Sequence, residues 1–590
     1  MARSSTLAKR EINPAFRKDA AGRHLCTGVY RDRALRDMVL RHVHNDTNHL
    51  VAPSYGFDLV PVVVHAWRAW TLEMLQHLCV VGTIAIGVAV HPPAAFSTAC
   101  VLGCLRLSRQ AITSGLAMLP LQAKATMDKW LRRTRWRSES DELRYHKRLL
   151  RLTALGCAVL ALAPLLVAGL AQASPDQMTR ATILLSLLIA LAVGGHGAAQ
   201  QVCLNRMYRT ASLEPKTLTR RLQAIKDQQF HRYVVYRRHA SEQREVDATL
   251  DDAEAFTDED HTPFVGAGVL VHRWLPPLTV PLLRRAQDAG NPSGHVPMSV
   301  LEHATPPFRA HELVAFLRRA MALIGDTEDP MGLRGFTIRD RLYVDEADVQ
   351  ASPVWLEDPS GRDDIDPAID DPYGPVHHFL EISASATGEL VTTVFLRVTV
   401  KGRALSLDFA ACALTRTPAE YQVLNAFAES GAGAVLRAIL RRLFNLPTEV
   451  AQAWRLAEAP MLLLGAIRAR KTRLVKPRRG MAIGARLSVR EEASTPWEHA
   501  QLDKVTIHDH VKLIEQRLLK ATEDFLEAHE IDTSGFRRRA ASIINTGVLN
   551  MGGKTEIKQS AVGPHAQVRM DVRESDGGQG QPSAGEGGQS

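Results

Sequence analysis

Hydrophobic residues gather in four long runs within the first 200 positions of the chain. A helix needs about 20 mostly apolar residues to cross a bilayer, because hydrocarbon offers no hydrogen-bond partner to the backbone. Four runs meet or approach that length, at residues 73–91, 94–120, 152–172 and 181–199. The pattern predicts a membrane α-helical region at 72–200, with four transmembrane helices arranged in two hairpins.

Charged residues interrupt the second run. Arg106 and Arg109 stand between the apolar stretch 94–105 and its continuation. A complete span here requires Arg106 to extend its aliphatic stem to the lipid headgroups.

Small residues end the fourth run. Gly194, Gly195 and Gly197 let a neighbouring helix approach closely, so we predict a packing site there. His196 lies among these glycines and near the helix end. An interfacial or hydrogen-bonded histidine is therefore favoured over an intramembrane proton relay.

The positive charge sets the predicted orientation. The loop 106–151 holds twelve Lys and Arg residues, whereas the turns at 91–93 and 173–180 hold almost none. Because Lys and Arg are retained on the cytoplasmic side, we predict a multi-pass protein of the plasma membrane with both termini in the cytoplasm. The lipid bilayer is thus the first predicted partner.

Composition excludes other classes of partner and cofactor. The formal net charge is +9, but arginines concentrate beside the spans, as loops next to anionic lipid require. No basic run alternates with aromatic residues, so nucleic acid is not a predicted partner. The seven cysteines show no metal-ligand spacing, so neither a disulfide framework nor a zinc site is predicted.

Residues outside the spans divide into further predicted regions. Residues 1–71 form a basic cytosolic N-terminal region, and 201–545 form a cytosolic α+β domain. Three β-branched and aromatic runs within 377–415, separated by glycine-containing turns, predict an antiparallel meander. A short strand is predicted at Tyr233–Tyr236. Helices are predicted at 31–44, 310–324, 433–445, 448–466 and 509–530, the last with Asp509 as its cap.

A group of N-terminal histidines invites a metal-site interpretation. His42 and His44 fall on different faces of a helix. These two and His49 have no evident carboxylate partner beyond Asp46. Solvated histidines are therefore favoured.

Four other stretches fall short of the motifs they approach. Residues 263–268 hold a GxG without the third glycine, and are predicted to form a turn. The pair at 311–312 lacks the second histidine of a zinc protease, and the acidic loop 345–376 misses the positions of a calcium-binding EF-hand. Residues 547–555 resemble a phosphate-binding loop, but the spacing differs and no helix follows. No catalytic, cofactor-binding or metal-binding residue is therefore predicted.

Residues 546–590 at the C-terminal end are predicted to form two further regions. Residues 546–572 alternate apolar and polar positions around glycines and predict a short β segment. A hairpin folded onto its own domain is favoured, and the alternative is pairing with a partner or with another copy through 546–570. Residues 573–590 are predicted to be a flexible tail.

Four stretches together carry a resemblance: PSYGFDLVPVVVHAWRA at 53–69, LEP at 213–215, PFVGAG at 263–268 followed by Trp274, and DFLEAHEIDTSGFRRRAASIINTGVLNMGG at 524–553. The chain resembles a group of uncharacterised actinobacterial multi-pass membrane proteins. The resemblance implies a plasma-membrane protein with a large cytosolic C-terminal region, and it brings no activity or site residue.

The sequence leaves two main classes of function open. Transport ranks third, because four spans with almost no buried ionisable residue offer no pathway unless the protein oligomerises. The leading hypothesis is a non-enzymatic membrane-anchored scaffold or sensor that acts through its cytosolic domain, since no complete catalytic motif is present. The alternative is a membrane-tethered enzyme with a site in 263–535, for example around His377, His378 and Glu381. For these three residues a structural cluster at a strand end is favoured.

Overall fold

The structure is a computed structural model. It describes residues 20–130, 141–170, 174–210, 212–236, 263–285, 301–303, 305–325, 332–351, 365–385, 388–422, 431–470 and 483–545. The predicted β segment at 546–572 and the predicted tail at 573–590 lie outside these residues.

The described N-terminal region begins with two short helices. They are α1 (Ala20–Arg31) and α2 (Arg33–Met38), followed by a π-helical turn at Val39–His44. The prediction of one helix over 31–44 is wrong at its start, because the Asp32 carboxylate accepts hydrogen bonds from the next amides and caps a new helix.

Four long helices follow: α3 (Leu59–Val90), α4 (Pro92–Trp130), α5 (Asp141–Leu170) and α6 (Pro175–Arg209). Three helical segments are long and apolar enough to cross a membrane, at Leu59–Val90, Arg144–Val167 and Pro175–Arg209. Helix α4 is not among them, so the arrangement of four spans in two hairpins stays a prediction. The bundle exposes many large apolar side chains, including Leu78, Ile86, Leu155, Leu165, Leu187 and Leu191.

Helix α3 begins well before the predicted start of the first span at residue 73. Asp58 caps it by accepting from the amide of Val60 at 2.9 Å. Its first turns pack inside the protein, with Val62, Val63 and Ala66 fully buried. The N-terminal part of this helix therefore belongs to the protein core, and only its later turns expose an apolar surface.

A seven-stranded mixed sheet forms the centre of the C-terminal part. Helix α7 (Arg220–Gln229) leads to β1 (Tyr233–Tyr236), and the other strands are β2 (Val269–Arg273), β3 (Leu278–Pro281), β4 (Thr337–Asp345), β5 (Val376–Ser385), β6 (Val391–Lys401) and β7 (Ala404–Leu414). The strand order is β1-β4-β5-β6-β7-β2, with β3 also paired to β7. Only the β1–β4 pair is parallel among the strand pairs that the structure describes. The predicted meander at 377–415 and the predicted strand at 233–236 are confirmed.

The remaining helices pack on the sheet, on the apolar helices or on the N-terminal region. They are α8 (Ala310–Ala322), α9 (Glu346–Ala351), α10 (Asp366–Asp370), α11 (Ala432–Phe444), α12 (Leu446–Ala451), α13 (Ala459–Arg470), α14 (Val489–Glu492), α15 (Gln501–Ala528) and α16 (Ser534–Asn545). The helix predicted at 509–530 begins at Gln501, so Asp509 does not cap it. The helix predicted at 448–466 is instead α12, a 3₁₀ stretch at Gln452–Glu458, and α13.

Different parts of the chain pack against the two faces of the sheet. On one face, β-strand residues such as Leu380 and Ile382 pack with α8 and α15 in the largest apolar cluster. On the other face, Phe379 and Phe395 pack with Tyr55 and Phe264, which come from connecting segments. Alternation along β5 explains this, because successive side chains point to opposite faces.

One apolar core joins regions that are distant in sequence. Leu25, Val63, Leu204, Ile225 and Leu462 all belong to the same buried cluster. Residues on both sides of the predicted domain boundaries at 71 and 200 therefore share packing. The structure shows a mixed α/β C-terminal part and apolar helices in the N-terminal part, and the finer domain limits stay predictions.

Candidate functional site

The main candidate site is a cavity of about 900 Å³ where the apolar helices meet the rest of the protein. Its walls come from α1 and α2, from α3 at Glu73, from α6 between His196 and Leu204, and from α11 and α12 between Ala438 and Glu449. This volume lies within the range of small-molecule sites in proteins, about 300–1,000 Å³. Most of the lining residues are polar or charged, and Glu73 and His196 lie within α3 and α6 rather than at the ends of these helices.

A network of ion pairs lines the cavity, and Glu73 is the centre of one half of it. Only 2% of its side chain is exposed, and Nε of Arg33 lies 3.1 Å from Oε1. Arg36 forms a second ion pair with Oε2. Nε2 of His77, one turn further along α3, lies 3.5 Å from Oε1. A buried carboxylate needs such partners, because an unpaired charge in a water-poor site is strongly destabilising.

Glu449 is the centre of the other half. Arg442 forms an ion pair with Oε1, and Arg33 reaches Oε2 at 3.6 Å. Gln76 donates to Oε2 at 3.3 Å. Arg442 also donates to Oε1 of Gln200 on α6 at 2.8 Å. Arg33 thus connects the two carboxylates, and the network joins α2, α3, α6, α11 and α12.

Arginines and carboxylates supply the charge of this cavity. Burial lowers the pKa of Arg33, although Glu73 and Glu449 act in the opposite direction. Five arginines and four carboxylates line the cavity, and its described lining contains no serine, threonine, cysteine or lysine. The cavity therefore presents charged groups of both signs.

His377, His378 and Glu381 do not come together. His377 and Glu381 lie on one face of β5 about 13 Å apart along the strand, and His378 points to the other face. Arg397 contacts Nδ1 of His377 at 3.0 Å. Each of the three side chains has its own partners, so they do not form a joint site.

Glu381 belongs to a buried structural cluster under the sheet. Its Oε2 accepts from Nε of Arg341 at 2.8 Å and from the hydroxyl of Tyr55 at 3.0 Å. Arg341 is 1% exposed and Glu381 is 1% exposed. Burial and the nearby Glu381 carboxylate raise the pKa of Tyr55 well above its ordinary value. The phenol therefore stays protonated and acts as a donor.

His378 contributes to a separate pair on the opposite face. Its Nε2 lies 3.0 Å from Oδ1 of Asp340, which also accepts from Arg318 at 2.6 Å. Burial acts to raise the pKa of Asp340, but the contacts with His378 and Arg318 outweigh it and lower the pKa. These three residues form an ion-pair cluster between β4, β5 and α8.

The predicted turn at 263–268 binds a side chain of the protein itself. The amides of Gly266 and Gly268 donate to Oε1 of Glu491 at 2.7 and 2.9 Å. Both glycines have positive φ, and a Cβ at Gly268 would lie 2.1 Å from the carbonyl oxygen of Ala413. These glycines are needed for backbone conformation and close packing, which agrees with the predicted turn.

Two of the stretches that carry the resemblance meet at this turn. A Cβ at Gly266 would lie 2.4 Å from the carbonyl oxygen of Pro53. Tyr55 and Phe264, one from each stretch, both pack against Phe395. The stretches 53–69 and 263–268 are therefore parts of one structural contact.

The remaining candidate histidines lie apart from each other. His42 is exposed, Nδ1 of His44 contacts Oδ1 of Asn45 at 2.8 Å, and Nδ1 of His49 contacts Oδ2 of Asp46 at 2.7 Å. His311 contacts Asp370 at 2.7 Å. Among the described residues, no group of three or more His, Cys, Asp or Glu is placed to hold a metal ion. The stretch 547–555 lies outside the described residues.

None of the cavity residues was predicted from the sequence as a site residue, although His196 was singled out. His196 lines the cavity, near the predicted packing glycines. Arg33, Arg36, Arg442 and Glu449 were not predicted as site residues. The available signal was Glu73, a lone acid at the start of an apolar run.

Comparison with protein families identifies part of the chain. Residues 277–557 match the family model of AbeC, the AbeC-like domain. The matched segment covers a little under half of the chain and begins after the apolar helices. It fits the predicted similarity to an uncharacterised family with a C-terminal region. No curated protein and no solved structure matches the chain.

The AbeC-like segment supplies only part of the cavity. It contains Arg441, Arg442 and Glu449, whereas Arg33 and Glu73 lie outside it. The matched segment also contains only part of the sheet: β1 and β2 precede it, and β3 to β7 lie within it. The cavity is therefore built jointly by the matched segment and by the N-terminal half of the chain.

Proposed function

We propose that the protein is a non-enzymatic membrane-anchored sensor or scaffold that acts through its cytosolic α+β domain. In this proposal it lies in the plasma membrane as a multi-pass protein of the actinobacterial group named above, with four spans in two hairpins and both termini in the cytoplasm. The bilayer holds it, and the cytosolic domain contacts protein partners.

One observation supports this proposal above the others: the segment that leads into the first apolar helix is hydrogen-bonded to the sheet. Tyr55 lies in the segment just before α3, and its hydroxyl donates to Glu381 in the central strand β5. At the start of α3, the amide of Leu59 donates to Gln229 at 2.9 Å. Buried polar contacts thus connect the start of α3 with the sheet, and a membrane sensor needs a connection of this kind.

The packing of α4 against α5 supports the predicted second span. A Cβ at Gly103 would lie 2.8 Å from Leu160, and a Cβ at Gly156 would lie 2.8 Å from Leu107. The first part of α4 thus runs antiparallel to the apolar part of α5. By this pairing, Arg106 and Arg109 lie near the cytoplasmic end of the proposed span, where long side chains reach the headgroups.

Proximity labelling in the native cell tests the proposal. A biotin ligase is fused to the full chain, and the wild type is compared with Tyr55→Phe, which breaks the contact with Glu381. Tyr373→Phe is the matched control, since Tyr373 is 83% exposed. We expect the wild type and the control to label the same cytosolic proteins, and Tyr55→Phe to lose at least half of that labelling while staying in the membrane fraction.

A wild-type chain that labels no protein beyond those labelled by a membrane-anchored ligase alone would overturn the proposal. A further variant truncated after Ile544 tests the C-terminal segment. If its partner list equals that of the full chain, the segment 546–570 has no part in partner binding.

A further inference from the structure

The polar cavity lies at the level of the inner lipid headgroups in the proposed topology. At 1.5 Å per residue, Glu73 is about 25 Å from the end of α3 at Val90, and His196 is about 32 Å from the start of α6 at Pro175. The hydrocarbon core of a bilayer is about 30 Å thick. Both residues therefore lie near its cytoplasmic boundary, where phosphate groups of the inner leaflet are found.

Helix α11 forms a wall between the cavity and the lipid. Leu436, Leu440 and Phe444 recur every four residues and are 58%, 56% and 54% exposed. The opposite side of the helix carries Ala438 and Arg442, which line the cavity. Side chains four residues apart share a helix face, so α11 has one apolar face turned outward and one polar face turned to the cavity.

The position of α11 beside the spans indicates that lipid covers its apolar face. The helix packs on α6 at two of the predicted packing glycines, Gly194 and Gly197. Directly after it, Leu446 is buried with Val80 and Ile189 of the apolar bundle. The outward face is thus continuous with the helices proposed to cross the membrane, and an apolar face beside cationic residues suits the headgroup boundary.

The cavity has donor groups that the ion-pair network does not use. Arg441 lines it, and no side-chain partner of Arg441 occurs in the described part of the chain. Nδ1 of His196 is buried, also without a hydrogen-bond partner among the described residues. Arg33, Arg36 and Arg442 already bind Glu73 and Glu449. An additional anion with several acceptor oxygens would satisfy the remaining donors.

We propose that this cavity binds a phosphate ester, and that its source is the headgroup of a phospholipid in the inner leaflet. Arg441 donates to the phosphate oxygens at the mouth of the cavity, His196 adds a donor within it, and the acyl chains lie along the apolar face of α11. The proposal rests on the proposed membrane function and names the ligand that the sensor reads.

Native mass spectrometry of the full chain in detergent tests this site. The probes are short-chain phosphatidylglycerol, phosphatidylcholine of the same chain length, and soluble glycerol 3-phosphate. The test variant is Arg441→Gln. The matched control is Arg437→Gln, which changes an exposed arginine one turn earlier on α11 that does not line the cavity. Both are surface substitutions, and thermal unfolding of each variant verifies that the fold is kept.

We expect phosphatidylglycerol to bind, Arg441→Gln to weaken its binding about tenfold, and Arg437→Gln to leave it within about twofold, since one charge-assisted contact is worth about 1.4 kcal/mol or more. Preference for phosphatidylglycerol over glycerol 3-phosphate supports a lipid source, whereas equal binding of both overturns the lipid source. Binding that is the same in the wild type and in Arg441→Gln, or no binding of any phosphate probe, overturns the site. Either of these last results leaves the partner list from proximity labelling unchanged, so this failure is distinct from failure of the proposed function.

Discussion

The hydroxyl of Tyr55 donates a hydrogen bond to Oε2 of Glu381 across 3.0 Å, and this links the segment before α3 to the middle of the sheet. The same oxygen accepts from Nε of Arg341 at 2.8 Å. All three residues are buried. One carboxylate atom therefore joins the segment before α3 with two neighbouring strands.

Substitutions of Tyr55 and of Glu381 should lower the free energy of unfolding by different amounts. Tyr55→Phe removes one hydrogen bond to a charged group, so we expect a loss of about 1.5–3 kcal/mol in the free energy of unfolding. Glu381→Gln leaves Arg341 buried without a counter-charge, and we expect about 3–5 kcal/mol. Chemical unfolding of the detergent-solubilised protein measures both. In the double variant the costs should not add, because both changes weaken the same hydrogen bond between Tyr55 and residue 381; additive costs would contradict the coupling.

The glycines at the end of the fourth apolar run should differ in how well they tolerate a larger side chain. A Cβ at Gly197 would lie 3.2 Å from the carbonyl oxygen of Ala438, whereas a Cβ at Gly195 meets nothing within 4 Å. We expect Gly197→Val to lower the free energy of unfolding by about 1–3 kcal/mol through overpacking against α11. The same change at Gly195 is the control, and equal effects at both positions would show that α11 does not pack as described.

Gly268 and Gly402 both have positive φ, and they allow the energetic cost of a close backbone contact to be separated from the cost of backbone strain. Gly268 (φ +94°) approaches Ala413, while Gly402 (φ +51°) has open space around its Cβ position. Gly402→Ala should cost only what a left-handed residue costs, about 1–2 kcal/mol. Gly268→Ala should cost more, because the backbone of β7 must also move. Thermal unfolding of the two variants gives the comparison, and a smaller effect at Gly268 would exclude this contact.

Acid should destabilise the protein partly through Glu515. Its Oε1 contacts Nε2 of His272 at 2.9 Å and accepts from Trp274 at 2.7 Å, and Oε2 accepts from Lys512 at 2.7 Å. Burial acts to raise the pKa of Glu515, but these contacts outweigh it and the pKa is lowered in the folded protein. The unfolded chain therefore takes up this proton first as the pH falls.

The stability from Glu515 is thus complete above the unfolded pKa of about 4.3 and is lost as the pH falls through the lower folded pKa. We expect Glu515→Gln to unfold at a lower temperature at pH 7 and to show a smaller further loss on acidification than the wild type. Exposed Glu498 provides the control substitution Glu498→Gln. An unchanged slope of melting temperature against pH in Glu515→Gln would reject this assignment.

Membrane topology gives the last prediction. In a variant whose seven native cysteines are replaced by alanine, a cysteine at Ser174 should react with a membrane-impermeant maleimide added to intact cells. A cysteine at Leu502, which is 86% exposed, should react only after the membrane is opened. Protection of Ser174 in intact cells, or recovery of the wild type in detergent-free buffer, would remove the topology on which both proposals depend.

The sequence by itself determined those features that depend on local periodicity. The apolar runs, the meander at 377–415 and the helix at 310–324 could be predicted, because burial of one face imposes a repeat that is visible in a short window. The turn at 263–268 could be predicted for a similar reason, since a positive φ restricts the choice of residue.

Only the tertiary structure decided which charges meet. Arg33, Glu73 and Glu449 lie far apart in sequence, and each alone resembles a surface residue or a span-end charge. Their pairing arises because a charge can be buried only where distant parts of the chain supply its counter-charge and hydrogen bonds. The burial of the first turns of α3 was decided in the same way, since an apolar helix surface is equally compatible with lipid and with protein until its neighbours are known.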